Sequence, residues 1–177
     1  MPIAVPPEFQ CIPYDSTRHP QSAEFDFSKG ANCQLWAYAL LKHFGLEVPP
    51  FRSSELWEDQ EFSDTVHGFE PLDLMLFNDT ANSWGAHVAV YLGDGVVAHL
   101  SRQIGLPEVC TIEEMLRAPN YRVLVGAKRI KEANQTNQPT NTRMSAMTTP
   151  IIAVVTSKPV MAVITKKVTK TTNQRNH

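Results

Sequence analysis

Apolar residues recur at helical spacing between Cys33 and Phe44, where Leu35, Trp36, Ala39 and Leu40 fall on one face and predict a helix. Asn32 suits its N-cap, because the side-chain oxygen can accept an orphan backbone N–H, and Gly45 suits its exit. The period then changes. Ala86 to Leu92 and Val96 to Leu100 are β-rich runs around Gly93-Asp94-Gly95, which predicts a hairpin. A two-residue Asp94-Gly95 turn would set position 87 opposite 102 and leave His99 on the other face. A three-residue loop with Gly95 left-handed pairs 92 with 96 and 87 with 101. It sends His87 and His99 to the same side, with the small Ala89 across from His99. The three-residue loop is the expectation, because only it lets one histidine orient the other.

Around these elements the pattern is plainer. Residues 1–29 are irregular and rich in proline, with Phe9, Phe25 and Phe27 as anchors onto a core. Ser53 or Ser54 caps a short acidic helix through Glu55, Trp57 and Glu58, and Phe62 to Phe69 reads as loop. Asp73 to Phe77 predicts a buried strand, with Asp73 holding the turn before it. A polar loop carrying Trp84 follows. Thr111-Ile112-Glu113-Glu114 is a capping-box start for a helix through Leu116, and Tyr121 to Ile130 alternates as a last strand. After Lys131-Glu132 the chain turns Asn/Gln/Thr/Pro-rich. The expected division is a folded domain over 1–132 and a disordered basic tail over 133–177. The tail's β-prone runs, Ile151 to Val155 and Val160 to Ile164, are too short and too interrupted to span a bilayer.

Charge sharpens that division. The tail holds six basic residues and no acid, so residues 1–132 carry ten basic and all eighteen acidic residues, a net of −8. An acidic body is a poor nucleic-acid binder. Three cysteines (Cys11, Cys33, Cys110) at no repeated spacing argue against a disulfide framework. The stretch Met1-Pro2-Ile3-Ala4-Val5-Pro6-Pro7 lacks the basic and apolar regions of a signal peptide. These features together lead to an expected cytoplasmic location with reduced thiols. Export by a route not written in the sequence stays open, as does the oligomeric state.

The chemistry centres on Cys33. A thiol beside an imidazole is the minimum machinery for attack on an amide or ester, and the first position of a helix favours thiolate over thiol. His87 would take the thiol proton and return it to the leaving amine, and His99 would hold the second ring nitrogen of His87, although spacing leaves open which of the two faces the sulfur. The backbone N–H of Cys33 is the expected oxyanion donor. Taken singly, Cys33 reads as a small buried hydrophobe and the histidines as hydrogen-bonded core residues. Three N/S ligands would also suit zinc, but the wide spacing and the lack of a Cys-x-x-Cys disfavour it, so no metal or cofactor is expected. Trp36 and Trp57 read as core, whereas Trp84, in the loop before His87, is placed to line a cleft.

Three stretches, taken in order, resemble the NlpC/P60 superfamily of papain-like cysteine peptidases and amidases. They are Gly30-Ala31-Asn32-Cys33-Gln34-Leu35, Glu70-Pro71-Leu72-Asp73-Leu74-Met75-Leu76-Phe77, and His87-Val88-Ala89-Val90-Tyr91-Leu92-Gly93-Asp94-Gly95 through His99. The resemblance covers roughly residues 10 to 130. It implies an α+β domain in which a nucleophile-bearing helix packs on an antiparallel sheet, with Cys33 as nucleophile, His87 as base and His99 as orienting residue. Tyr14 matches, loosely, a tyrosine that lines the family's active site. Many cell-wall members have Asp-Cys-Ser where this chain has Asn32-Cys33-Gln34. The two flanking positions that meet substrate are therefore changed. The implied reaction is hydrolysis of an amide in a peptide or muropeptide. An acyltransferase using the same trio, or a non-catalytic module that binds a peptide or acyl ligand, are the alternatives.

Overall fold

A computed structural model describes residues 1–22 and 26–132, apart from the side chain of Phe27. Phe25, the Phe27 anchor and the tail over 133–177 lie outside the described residues. Among the described residues three α-helices, α1 (Cys33–His43), α2 (Ser53–Glu58) and α3 (Ile112–Arg117), accompany six strands. The strands are β1 (Ser63–Val66), β2 (Leu74–Asn78), β3 (His87–Gly93), β4 (Val96–Leu100), β5 (Pro107–Thr111) and β6 (Val123–Ile130). They form one sheet in the order β1-β6-β2-β3-β4-β5, antiparallel throughout. The fold is the expected α+β arrangement.

Helix α1 begins and ends as its sequence dictates. Asn32 Oδ1 accepts the Leu35 N–H at 2.8 Å. At the other end Gly45 takes φ +87°, its N–H reaching Lys42 O and the Leu46 N–H reaching Leu41 O, both at 3.0 Å. That paired closure uses the freedom of glycine at a positive φ. Leu35, Trp36, Leu40 and Leu41 pack with Leu74, Leu76, Val88, Val90, Ala98 and Leu100, on one face of the sheet. Met75, Phe77, Ala89, Val97 and Ala127 face the other way, against Met115 and Tyr121. Alternate residues of β2 thus enter different cores, which is why Leu74-Met75-Leu76-Phe77 is apolar without a break.

The histidine hairpin has the expected register by an unexpected turn. Tyr91 pairs with Val97 and Val90 with Ala98, the alignment of the three-residue loop. The tip is nevertheless a two-residue Asp94-Gly95 turn, with φ +50° and +77°, and Gly93 pairs with Val96. A register shift between Tyr91 and Gly93, where Gly93 adopts φ +111°, makes up the extra residue.

Two strands fall where none was expected. Phe62 to Phe69, read as loop, contains β1, and β5 follows the hairpin. Both are short edge strands, and β5 leaves Val109 exposed, so neither shows a clear alternation of apolar and polar residues. Arg52, not a serine, is the N-cap residue of α2, and its N–H donates to Glu55 Oε2 at 2.6 Å. The Thr111 capping box of α3 is present in full.

Candidate active site

Residues 1–22 and 26–30 carry little regular structure, but they clamp the start of α1. Tyr14 and Ala31 form a parallel bridge; Ala31 donates its N–H to Pro13 O at 3.0 Å and Asp15 donates to Ala31 O at 2.8 Å. Asn32 N–H reaches Arg18 O at 2.8 Å, and Arg18 Nε reaches Gly30 O at 2.8 Å. Gly30 sits at φ +83°, where a Cβ would lie 2.6 Å from Pro13 O, so no larger residue fits the seam. Phe9 anchors this segment edge-on to Trp36, whose Nε1 donates to Phe9 O at 3.0 Å.

Cys33 and His87 line one cleft of about 300 Å³, together with Tyr14, Arg102 and Tyr121. A backbone hydrogen bond from Val88 reaches the sulfur, which places the start of α1 beside the start of β3. His87 Nε2 lies 3.0 Å from His99 Nδ1, and the two rings stand edge to face. Tyr121 stacks under His87 with centroids 4.5 Å apart. Behind His99, the Glu108 carboxylate comes within 3.6 Å of Nε2. Cys33 and His87 therefore share a cleft, and His87 meets His99 behind it, where His99 is only 2 % exposed.

Substrate-side expectations divide. Tyr14 lines the cleft. Asn32 is buried and its oxygen is committed to the helix cap, and Gln34 is buried beside Tyr38, with its Nε2 lacking a hydrogen-bond partner. Trp84 is 76 % exposed and is not among the residues that line the cleft, although the adjacent Gly85 and Ala86 are. Arg102, Tyr121 and Glu108 escaped sequence reading. They reach the site through the β4–β5 turn, through a 3-10 turn at Pro119–Tyr121 and through β5.

Electrostatics reverse one expectation. The helix start and the backbone bonds from Val88 and Gln34 do pull the Cys33 thiol down, but burial pushes it above its ordinary 9.0 by more. Burial, and then His99, hold His87 well below its ordinary 6.5. Both shifts favour the uncharged forms, a thiol at Cys33 and a neutral imidazole at His87. Tyr121, raised to about 12 by burial and by the Cys33 charge, stays a phenol that can donate.

Burial lowers His99 to about 4. His87, Glu108 and Tyr121 are the titratable groups that face it. Below pH 6.5 the unfolded chain takes up a proton at this position that the folded chain refuses until about pH 4. Stability present above pH 6.5 is therefore expected to fall by about 3 kcal/mol between those limits, and not further below them. Urea midpoints against pH test this. A His99→Asn variant should lack that part of the slope, and an identical slope in both proteins would contradict a neutral His99.

The six-stranded antiparallel sheet with α1 packed on one face is an α+β fold similar to that of NlpC/P60 domains. No protein-family model matches the chain, and no curated protein does. Among solved structures it is similar to a NlpC/P60 family protein from Bacillus cereus, at 25% identity and a TM-score of 0.50, over 69% of this chain. The chain spans 36% of that protein's length. Lower scores relate it to the NlpC/p60 domain of the peptidoglycan hydrolase SagA, at 17% identity and TM-score 0.46, over 70% of this chain and 90% of that one. The P60 domain of an M. avium subspecies paratuberculosis antigen gives 19% and 0.41, over 67% and 85%. At the level of fold, the resemblance read from the sequence is borne out.

Among the described residues, no group of three His, Cys, Asp or Glu side chains is placed to hold a metal ion, and no helix is long and apolar enough to cross a membrane.

Proposed function

We propose that this domain is a cysteine hydrolase that cleaves an amide bond in a cell-wall-type peptide through Cys33, His87 and His99. The observation that carries the reading is the 3.0 Å contact between His87 Nε2 and His99 Nδ1 at the wall of the cleft that holds Cys33. With Nε2 engaged, Nδ1 of His87 is left for the sulfur. The thiol proton passes to Nδ1 as the sulfur bonds to the carbonyl carbon. Collapse of the tetrahedral adduct breaks the C–N bond, and the same proton leaves with the amine. Water, deprotonated by His87, then splits the thioester to give the acid and the free thiol. The N–H groups at the start of α1 face the developing oxyanion. The peptide class follows the family resemblance.

The test is to incubate the full chain and its Cys33→Ala variant with a panel of muropeptides and acyl amides, reading products by mass spectrometry. Paired acid and amine products from the wild type, and none from the variant, are expected. Turnover that survives in the variant would remove the mechanism. Binding without turnover by the wild type would make the domain a ligand-binding module.

A further inference from the structure

We propose that Glu108 is a positioning residue, its carboxylate selecting the tautomer of His99 and so turning the bare ring nitrogen of His87 toward Cys33. The strand register pairs Glu108 directly with His99 across β4 and β5. Its Oε2 stands 3.6 Å from His99 Nε2, beyond the 3.0 Å contact on the other side of the same ring. The buried histidine pair therefore has the cleft that holds Cys33 at one end and a carboxylate at the other.

Two neutral proton arrangements satisfy the contact between the rings. In one, His87 donates from Nε2 to His99 Nδ1. His99 then carries its proton on Nε2, facing Glu108, and His87 Nδ1 is a free acceptor for the thiol proton. In the other, His99 donates from Nδ1, His87 must carry its proton on Nδ1, and the thiol has no acceptor. That arrangement also sets the lone pair of His99 Nε2 against a negative carboxylate. Only the first is productive, and only the first is favoured by Glu108. At 3.6 Å the carboxylate acts by its field and not through a short hydrogen bond. The same field offsets the positive charge that His87 acquires on taking the proton, which burial otherwise opposes. The catalytic consequence rests on the proposed cysteine chemistry. The tautomer itself does not.

Long-range proton–nitrogen spectra of the full chain carrying ¹⁵N-histidine read both tautomers directly. The wild type should show His87 and His99 protonated on Nε2. Glu108 is half-exposed on an edge strand, so its replacement should leave the fold intact by circular dichroism. Glu108→Ala should move the His99 ratio about tenfold toward the Nδ1-protonated form. Glu108→Gln, whose amide oxygen still accepts, should move it less. Iodoacetamide alkylation of Cys33 should slow in the same order. An unchanged His99 tautomer in Glu108→Ala, or an Nδ1-protonated His99 in the wild type, overturns the proposal. A tautomer shift alongside hydrolysis that survives Cys33→Ala would instead remove the hydrolase reading and leave the role of Glu108 in the pair standing.

Discussion

A His87→Ala variant is expected to lose about a thousandfold in kcat on any amide the wild type cleaves, with KM little changed. The size follows from the resting state. Because burial keeps both the Cys33 thiol and the His87 imidazole uncharged, no standing thiolate remains to carry residual activity once the base is gone. The ring also has no substitute. His99 is buried behind it, and Tyr14 and Tyr121 are phenols held above their ordinary range, which makes them donors and poor bases. Steady-state kinetics on a muropeptide found to be cleaved would check this, with circular dichroism confirming the fold. A loss of less than about tenfold would mean that the proton leaves by another path.

The largest effect on stability is expected far from the cleft. Asp73, 1 % exposed by side chain, accepts from Arg129 Nε and Nη2 at 2.8 and 2.9 Å and from the Glu70 N–H at 2.7 Å. Arg129 also meets Glu70 at 2.9 Å and the Gly68 carbonyl at 3.0 Å. Arg129→Met would leave a buried carboxylate with one remaining donor, at a cost of about 3 kcal/mol. The Asp73→Asn/Arg129→Met double variant should cost less than the sum of the two single changes, because neither charge is then stranded. Urea denaturation of the four proteins would measure it. A single-variant cost below about 1 kcal/mol would show that water relieves the carboxylate.

What could be seen beforehand was local. Asn32 and Gly45 announce the ends of α1 because capping depends on two or three neighbouring residues, and the Thr111 box works the same way. Alternation left two registers open for the histidines, and the chemistry chose the one that the structure has, because only it puts both rings on one side. The Gly93 irregularity was not legible, since two combinations of turn and bulge give one register. Strands β1 and β5 were hidden because short edge strands carry little alternation, and with β5 went Glu108, which meets His99 only once the strands are paired. Asp73 was expected to hold a turn and does, by accepting the Glu70 N–H; its ion pair joins residues 56 apart and leaves no local pattern. Tyr121 and Arg102 reach the cleft by tertiary placement alone. The thiolate expectation failed because a helix start favours charge, whereas the burial that opposes it cannot be read from spacing.

The seam between Pro13-Tyr14-Asp15 and Gly30-Ala31-Asn32 has a practical corollary. Tyr14 also donates its backbone N–H to Gly105 O at 2.9 Å, so one short stretch buttresses both the helix start at Cys33 and the turn that carries Arg102. Trimming the opening residues for convenience would dismantle a wall of the cleft and strip β3 of the Ile3 N–H that meets Leu92 O at 2.8 Å.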